Sequence, residues 1–241
     1  MRLPVLVTYT PLVAPFLNLA ALTGEELELL LGVEAAQRLR PDLSRARMEQ
    51  KAFRGAEIPD ELRFEPLSGS SEDGRAWGAT SDHTRKIRSM REAYAALGFA
   101  EHGAFYAPGL QGARHQLALT GEGDTAARIV WSETLSEHSE TPSTQLLTLL
   151  RDRASGFAAV LTSTVLTLPA PSLSEEVALR HLPGLDVQAA HAAHRSEVQR
   201  DGRGVRLATY TDWERAWRFL RSLNMSAWAR RGVLLDVKGE K

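Results

Sequence analysis

The sequence predicts an α+β fold, a mostly antiparallel five-stranded meander packed with helices on one face, plus a partly helical N-terminal segment. Three observations carry that expectation: a bounded helix between Ser81 and Gly98, five strand-like segments between Ala104 and Thr167, and capped helical stretches beyond Pro171. Gly, Pro, Ser and Asp clusters separate the five segments, as short antiparallel connections require.

From Leu3 to Thr23 no residue is charged, a length sufficient to cross a bilayer. Pro4, Pro11 and Pro15 interrupt it, and lipid cannot replace the hydrogen bonds that interior prolines remove. No Ala-x-Ala site follows the apolar stretch, which disfavours a signal peptide, so a buried segment is expected, with a membrane span and contact to a membrane surface as the alternatives. Glu25 and Glu26 then open a helical pattern that Arg38 and Arg40 close before Pro41, and a second helix is expected from about Leu43 to Phe53. From Gly55 to Thr80 the pattern dissolves into Pro59, Pro66 and the run Ser68-Gly69-Ser70-Ser71-Glu72-Asp73-Gly74. The expected organisation is a partly helical segment 1–54, a loop or linker 55–80 and an α+β domain 81–241. Trp77 interrupts the linker and is expected to pack on the main domain.

Asp82 can cap the next helix, whose apolar stripe is Ile87, Met90, Tyr94 and Leu97; Gly98 ends it and Phe99 is placed to pack back on its last turn. The strand-like segments run over 104–107, 113–119, 126–132, 145–150 and 157–167. For the second and third a register follows from matching apolar faces: Leu119 opposite Ala127, Leu117 opposite Ile129 and His115 opposite Trp131. Arg114, Gln116 and Arg128 then face away from that apolar layer. Beyond Pro171 a short helix is expected over 172–181, a second from Asp186 to Arg200, and a third capped by Thr211 with Glu214 and stopped by Gly232.

Composition narrows the chemistry. The chain has 241 residues, 43% hydrophobic, enough for one sizeable core, and its formal charge of -1 gives no field that calls for nucleic acid. It has no cysteine, which excludes a disulfide framework, a thiolate metal site and a thiol nucleophile, and fits a cytoplasmic location. Gly121-Glu122-Gly123-Asp124-Thr125-Ala126 matches a dinucleotide fingerprint in letters. The residues after it alternate like a strand instead of opening a helix, so a hairpin turn is expected.

Three clusters are candidate binding residues. Glu137, His138 and Glu140 gather an imidazole and two carboxylates in a loop between strands, the elements of general acid and base chemistry. His191, His194 and Glu197 share a face of a helix, yet the helical zinc motif spaces its histidines by four, so no metal site is assigned. Arg215 and Arg218 flank Trp213, Trp217 and Trp228 on the last helix, a pairing suited to lipid or an acidic partner. No nucleophile elbow, acyl-CoA phosphate loop or cofactor motif is present, and catalytic residues and cofactors stay unassigned. The leading expectation is a soluble domain that binds a small ligand or protein partner without catalysis. The alternatives are a hydrolase or metal-assisted enzyme using a His/Glu cluster, and a membrane-surface or nucleic-acid adaptor using the Arg/Trp helix.

Overall fold

The computed structural model describes residues 14–59, 61–67, 77–108, 114–121, 123–133, 141–152 and 154–235. Strand β1 (Phe16–Asn18) leads through a single 3-10 turn to Thr23, whose side chain and Glu26 form a capping box that opens α1 (Gly24–Leu31). Gly32, with φ 81°, separates it from α2 (Val33–Met48). The helix expected to stop at Pro41 therefore continues through it, and no separate helix begins at Leu43. Proline forfeits one helical bond, but Pro41 is exposed while Ala36 and Leu43 of the same helix are buried in the N-terminal core. Strand β2 (Arg54–Glu57) pairs with β1, and residues 55–80, expected as a loop or linker, also hold β3 (Glu65–Pro66). Leu17, Leu19 and Leu22, from the uncharged run, are buried in this layer. No helix among the described residues is long and apolar enough to cross a membrane.

Helix α3 (Ser81–Ala96) is capped by Thr80, whose side chain accepts from the amide of His83; the expected cap, Asp82, is one of its first residues and pairs with Arg85. Its end follows the expected chemistry. Gly98 has φ 78°, its amide bonds Ala95, the Phe99 amide bonds Tyr94, and the Phe99 ring meets Tyr94 edge-on at 4.8 Å. Trp77 stacks on Trp131, with ring centroids 5.4 Å apart.

The main sheet is mixed and has seven strands, not five. In chain order and side by side lie β3, β4 (Ala100–Tyr106), β5 (His115–Gly121), β6 (Thr125–Trp131), β7 (Ser143–Leu149), β8 (Ala159–Ser163) and β9 (Val177–His181). All neighbours are antiparallel except β8 and β9. The β5–β6 register is the expected one, with Leu119 on Ala127, Leu117 on Ile129 and His115 on Trp131. The fingerprint-like segment is the turn of that hairpin, where Gly121 pairs with Thr125. Residues 172–181, expected as a helix, end instead in β9: two glutamates resemble a helical first turn, but Val177 and Ala178 are buried beside β8.

Helices cover both faces, not one. Leu117, Leu119, Ala127, Ile129, Trp131 and Leu146 meet α3 and α4 (Val187–Asp201). The alternate residues Ala118, Ala126, Leu147 and Leu161 meet Trp213, Ala216, Trp217 and Leu220 of α5 (Tyr210–Arg230). Helix α4 is capped by Asp186, as expected. The capping box of α5 is Thr209 with Asp212, one pair earlier than expected. Gly232 (φ 71°) ends α5 and leads to β10 (Leu234–Leu235), which pairs with β1 and so joins the small sheet to the end of α5.

The β8–β9 connection crosses the C-terminal half of α5. The Ser174 amide donates to Asn224, Trp228 Nε1 donates to the Ser172 carbonyl, and the Ser172 amide donates to Glu26. Glu26 also accepts from Arg231 at 2.7 and 2.9 Å. Burial works against its ionisation, but the bonds from Arg231, Ser172 and Thr23 outweigh burial and hold its carboxyl down to about 2.

Candidate functional site

Beneath α5, polar side chains interrupt the alanine and leucine that fill this face, and most of them gather in one region. Ala118, Arg128, Gln145 and Ser163 are directly opposite one another on β5, β6, β7 and β8, so three neighbouring strands put polar side chains in one row. Gln116 and Ser143 stand two residues along on the same face. Arg128 Nε donates to Gln145 Oε1 at 2.7 Å and its Nη1 to Gln116 Oε1 at 3.0 Å, while Gln145 Nε2 donates to Ser163 Oγ at 3.1 Å. The Trp217 ring lies over the guanidinium, 3.8 Å from Cζ to the centroid.

The electrostatics of this row are unbalanced. Burial pushes the Arg128 guanidinium down to about 9, which still leaves it cationic at neutral pH. It forms no ion pair with a carboxylate among the described residues; its partners are two neutral amides and an indole face. Because the Gln116 carbonyl is committed to Arg128, its Nε2 is left as a donor, and Gln116 Nε2, Trp217 Nε1 and Ser143 Oγ are buried without a hydrogen-bond partner. Gln116 and Trp217 are each 1% exposed. Buried polar groups in folded proteins are nearly always satisfied, so three orphans beside one part-buried cation leave donors here for a ligand or water to fill. The row can donate to an anion or to carbonyl oxygens. It contains no imidazole or carboxylate that could take a proton, and its donors repel a metal cation.

The residues expected from the sequence are elsewhere. Glu137, His138 and Glu140 lie outside the described residues. His191 and His194 are not on an outer helix surface: α4 covers the second sheet face and both histidines point into it. His194 is fully buried, with Nε2 3.0 Å from the Thr148 hydroxyl and Nδ1 3.0 Å from that of Thr162. Burial, then Arg195 and His191, drive its pKa down to about 3, so it is a neutral clamp between helix and sheet. His191 packs edge-on against Phe99, with centroids 5.5 Å apart. Glu197 is buried and pairs with Arg180 at 3.2 Å and with Arg200. Among the described residues no three His, Asp or Glu side chains form a group that could hold a metal. Arg215 and Arg218 sit on the other side of the sheet, paired with Asp212 at 2.8 Å and Glu214 at 2.9 Å, while the tryptophans of α5 face inward.

No protein-family model, curated protein or solved structure matches this chain. The site therefore rests on its own chemistry. Strand parity places Gln116 and Arg128 on the face away from the first apolar layer but does not join them to Gln145, Ser143, Ser163 or Trp217. The usable signal is a polar residue at a core-facing position on each of three consecutive strands. Periodicity gives the face a residue takes but not the helix that covers it.

Proposed function

We propose that the protein is a binding module for a small anionic ligand, bearing a carboxylate or a phosphate, held by Arg128 beneath α5. The carrying observation is the part-buried Arg128 guanidinium, which pairs with no carboxylate among the described residues and stands beside the unsatisfied donors of Gln116, Ser143 and Trp217. A part-buried charge without a counter-charge loses hydration, and an anion with two or more acceptor oxygens would relieve both the charge and the orphaned donors. The set of groups has donors to hold a ligand and no base to turn it over, which favours binding over catalysis.

Titration calorimetry with inorganic phosphate and with a series of mono- and dicarboxylates tests the reading. At least one anion should bind saturably, and Arg128→Gln should weaken it by roughly ten- to a hundredfold, the worth of a charge-assisted hydrogen bond, while the fold is unchanged by circular dichroism. Equal binding by wild type and Arg128→Gln would reject the site.

A further inference from the structure

We propose that the anion taken beneath α5 is a monocarboxylate with an apolar body, gripped by the free end of the Arg128 guanidinium. This rests on the reading of Arg128 as an anion site and adds to it how many charges and protons the ligand brings. Arg128 is the single charged side chain of the patch; its polar neighbours Gln116, Ser143, Gln145, Ser163 and Trp217 are neutral. His181 continues the row on β9, but three strand spacings, about 14 Å, separate it from Arg128. One negative charge balances one guanidinium, whereas a second would stay uncompensated under the helix after losing its water. Val130 stands between Gln116 and Ser143, and Ala118 and Leu147 lie beside Arg128 on the same face, so the remaining atoms of the ligand meet hydrocarbon.

The hydrogen bonds already made decide what the ligand can offer. Gln145 reaches Nε from β7 and Gln116 reaches Nη1 from β5, so both amide oxygens are engaged, and no described group bonds to Nη2. Ser163 Oγ accepts from Gln145. Three of the five guanidinium N–H groups remain, two of them on Nη2, and Gln116 Nε2 and Trp217 Nε1 are further donors. Only the Ser143 hydroxyl, among the unpartnered groups, can accept as well as donate. A carboxylate presents two oxygens at the spacing of a guanidinium fork and carries no proton at neutral pH. Inorganic phosphate keeps at least one P–O–H there, which needs an acceptor that Ser143 alone can supply, and phosphate monoesters carry about two charges.

Calorimetric titration of the wild type at neutral pH compares propionate with malonate and butyrate with succinate, pairs in which a terminal methyl becomes a second carboxylate, and adds inorganic phosphate. Propionate or butyrate should bind at least about tenfold tighter than its dicarboxylate counterpart and than phosphate, and Arg128→Gln should remove that binding. Malonate, succinate or phosphate binding as tightly as the monocarboxylates or tighter, and weakened by Arg128→Gln, would overturn the monocarboxylate and leave the anion site standing. Binding by none of these probes, or binding that Arg128→Gln leaves unchanged, would remove both. The preference among ligands is read on the wild type and depends on no variant folding.

Discussion

His194 gives a sharp stability prediction because its imidazole is enclosed between Thr148 and Thr162 and stays neutral in the folded protein down to about pH 3. In the unfolded chain the same group titrates near its ordinary value of 6.5. The folded pKa is the lower, so the unfolded state binds the extra proton first. The penalty is absent above 6.5 and grows as pH falls, reaching its limit near the folded value. At pH 5 the unfolded state gains about 1.5 pH units of protonation free energy, or about 2 kcal/mol, and the figure is insensitive to the folded pKa as long as that lies well below 5. His194→Gln keeps a side chain able to bond both hydroxyls but cannot titrate. Urea denaturation of both proteins at pH 7.5 and pH 5 should show the wild type losing about 2 kcal/mol more than the variant. The six remaining histidines are common to both proteins and cancel in that difference. Equal pH dependence in the two proteins would refute the neutral, enclosed imidazole.

Glu26→Gln should cost about 2 to 3 kcal/mol at neutral pH, discounted for the partly exposed Arg231 it pairs with, as read from chemical denaturation. Because the folded carboxyl is held low, the wild-type advantage should be full above about pH 4.5 and fade as pH falls toward 2. Gly121→Ala would bring a Cβ to 2.6 Å from the Phe99 ring, which is packed against Tyr94, and should destabilise the β5–β6 hairpin by about 1 to 3 kcal/mol in a thermal melt.

Local rules read this chain well where the determinant is local. The β5–β6 register followed from parity alone, and the stops at Gly98 and Gly232 followed from the glycine that each left-handed turn needs. Where tertiary context decides, the sequence misleads. Pro41 looked terminal because an interior proline costs a helical bond, yet Ala36 and Leu43 bury the helix on both sides of it. β9 looked helical because its parallel partner arrives through a crossover, so no hairpin turn announces it. The histidines of α4 looked like surface groups because nothing in a single helix says that a second sheet face awaits it. For the candidate site, the polarity of Gln116 and Arg128 was legible and their side of the sheet was assigned, but the lid of Trp217 and the row across β7 and β8 exist only once the strands are aligned.

The most direct test of anion binding at Arg128 is the native mass of the gently purified protein compared with its denatured mass, for wild type and Arg128→Gln. The wild type should carry an adduct of small anionic mass, or acquire one on adding phosphate or a carboxylate, that denaturation releases and Arg128→Gln lacks. A bare mass for the wild type before and after anion is added, or the same adduct on Arg128→Gln, would contradict it.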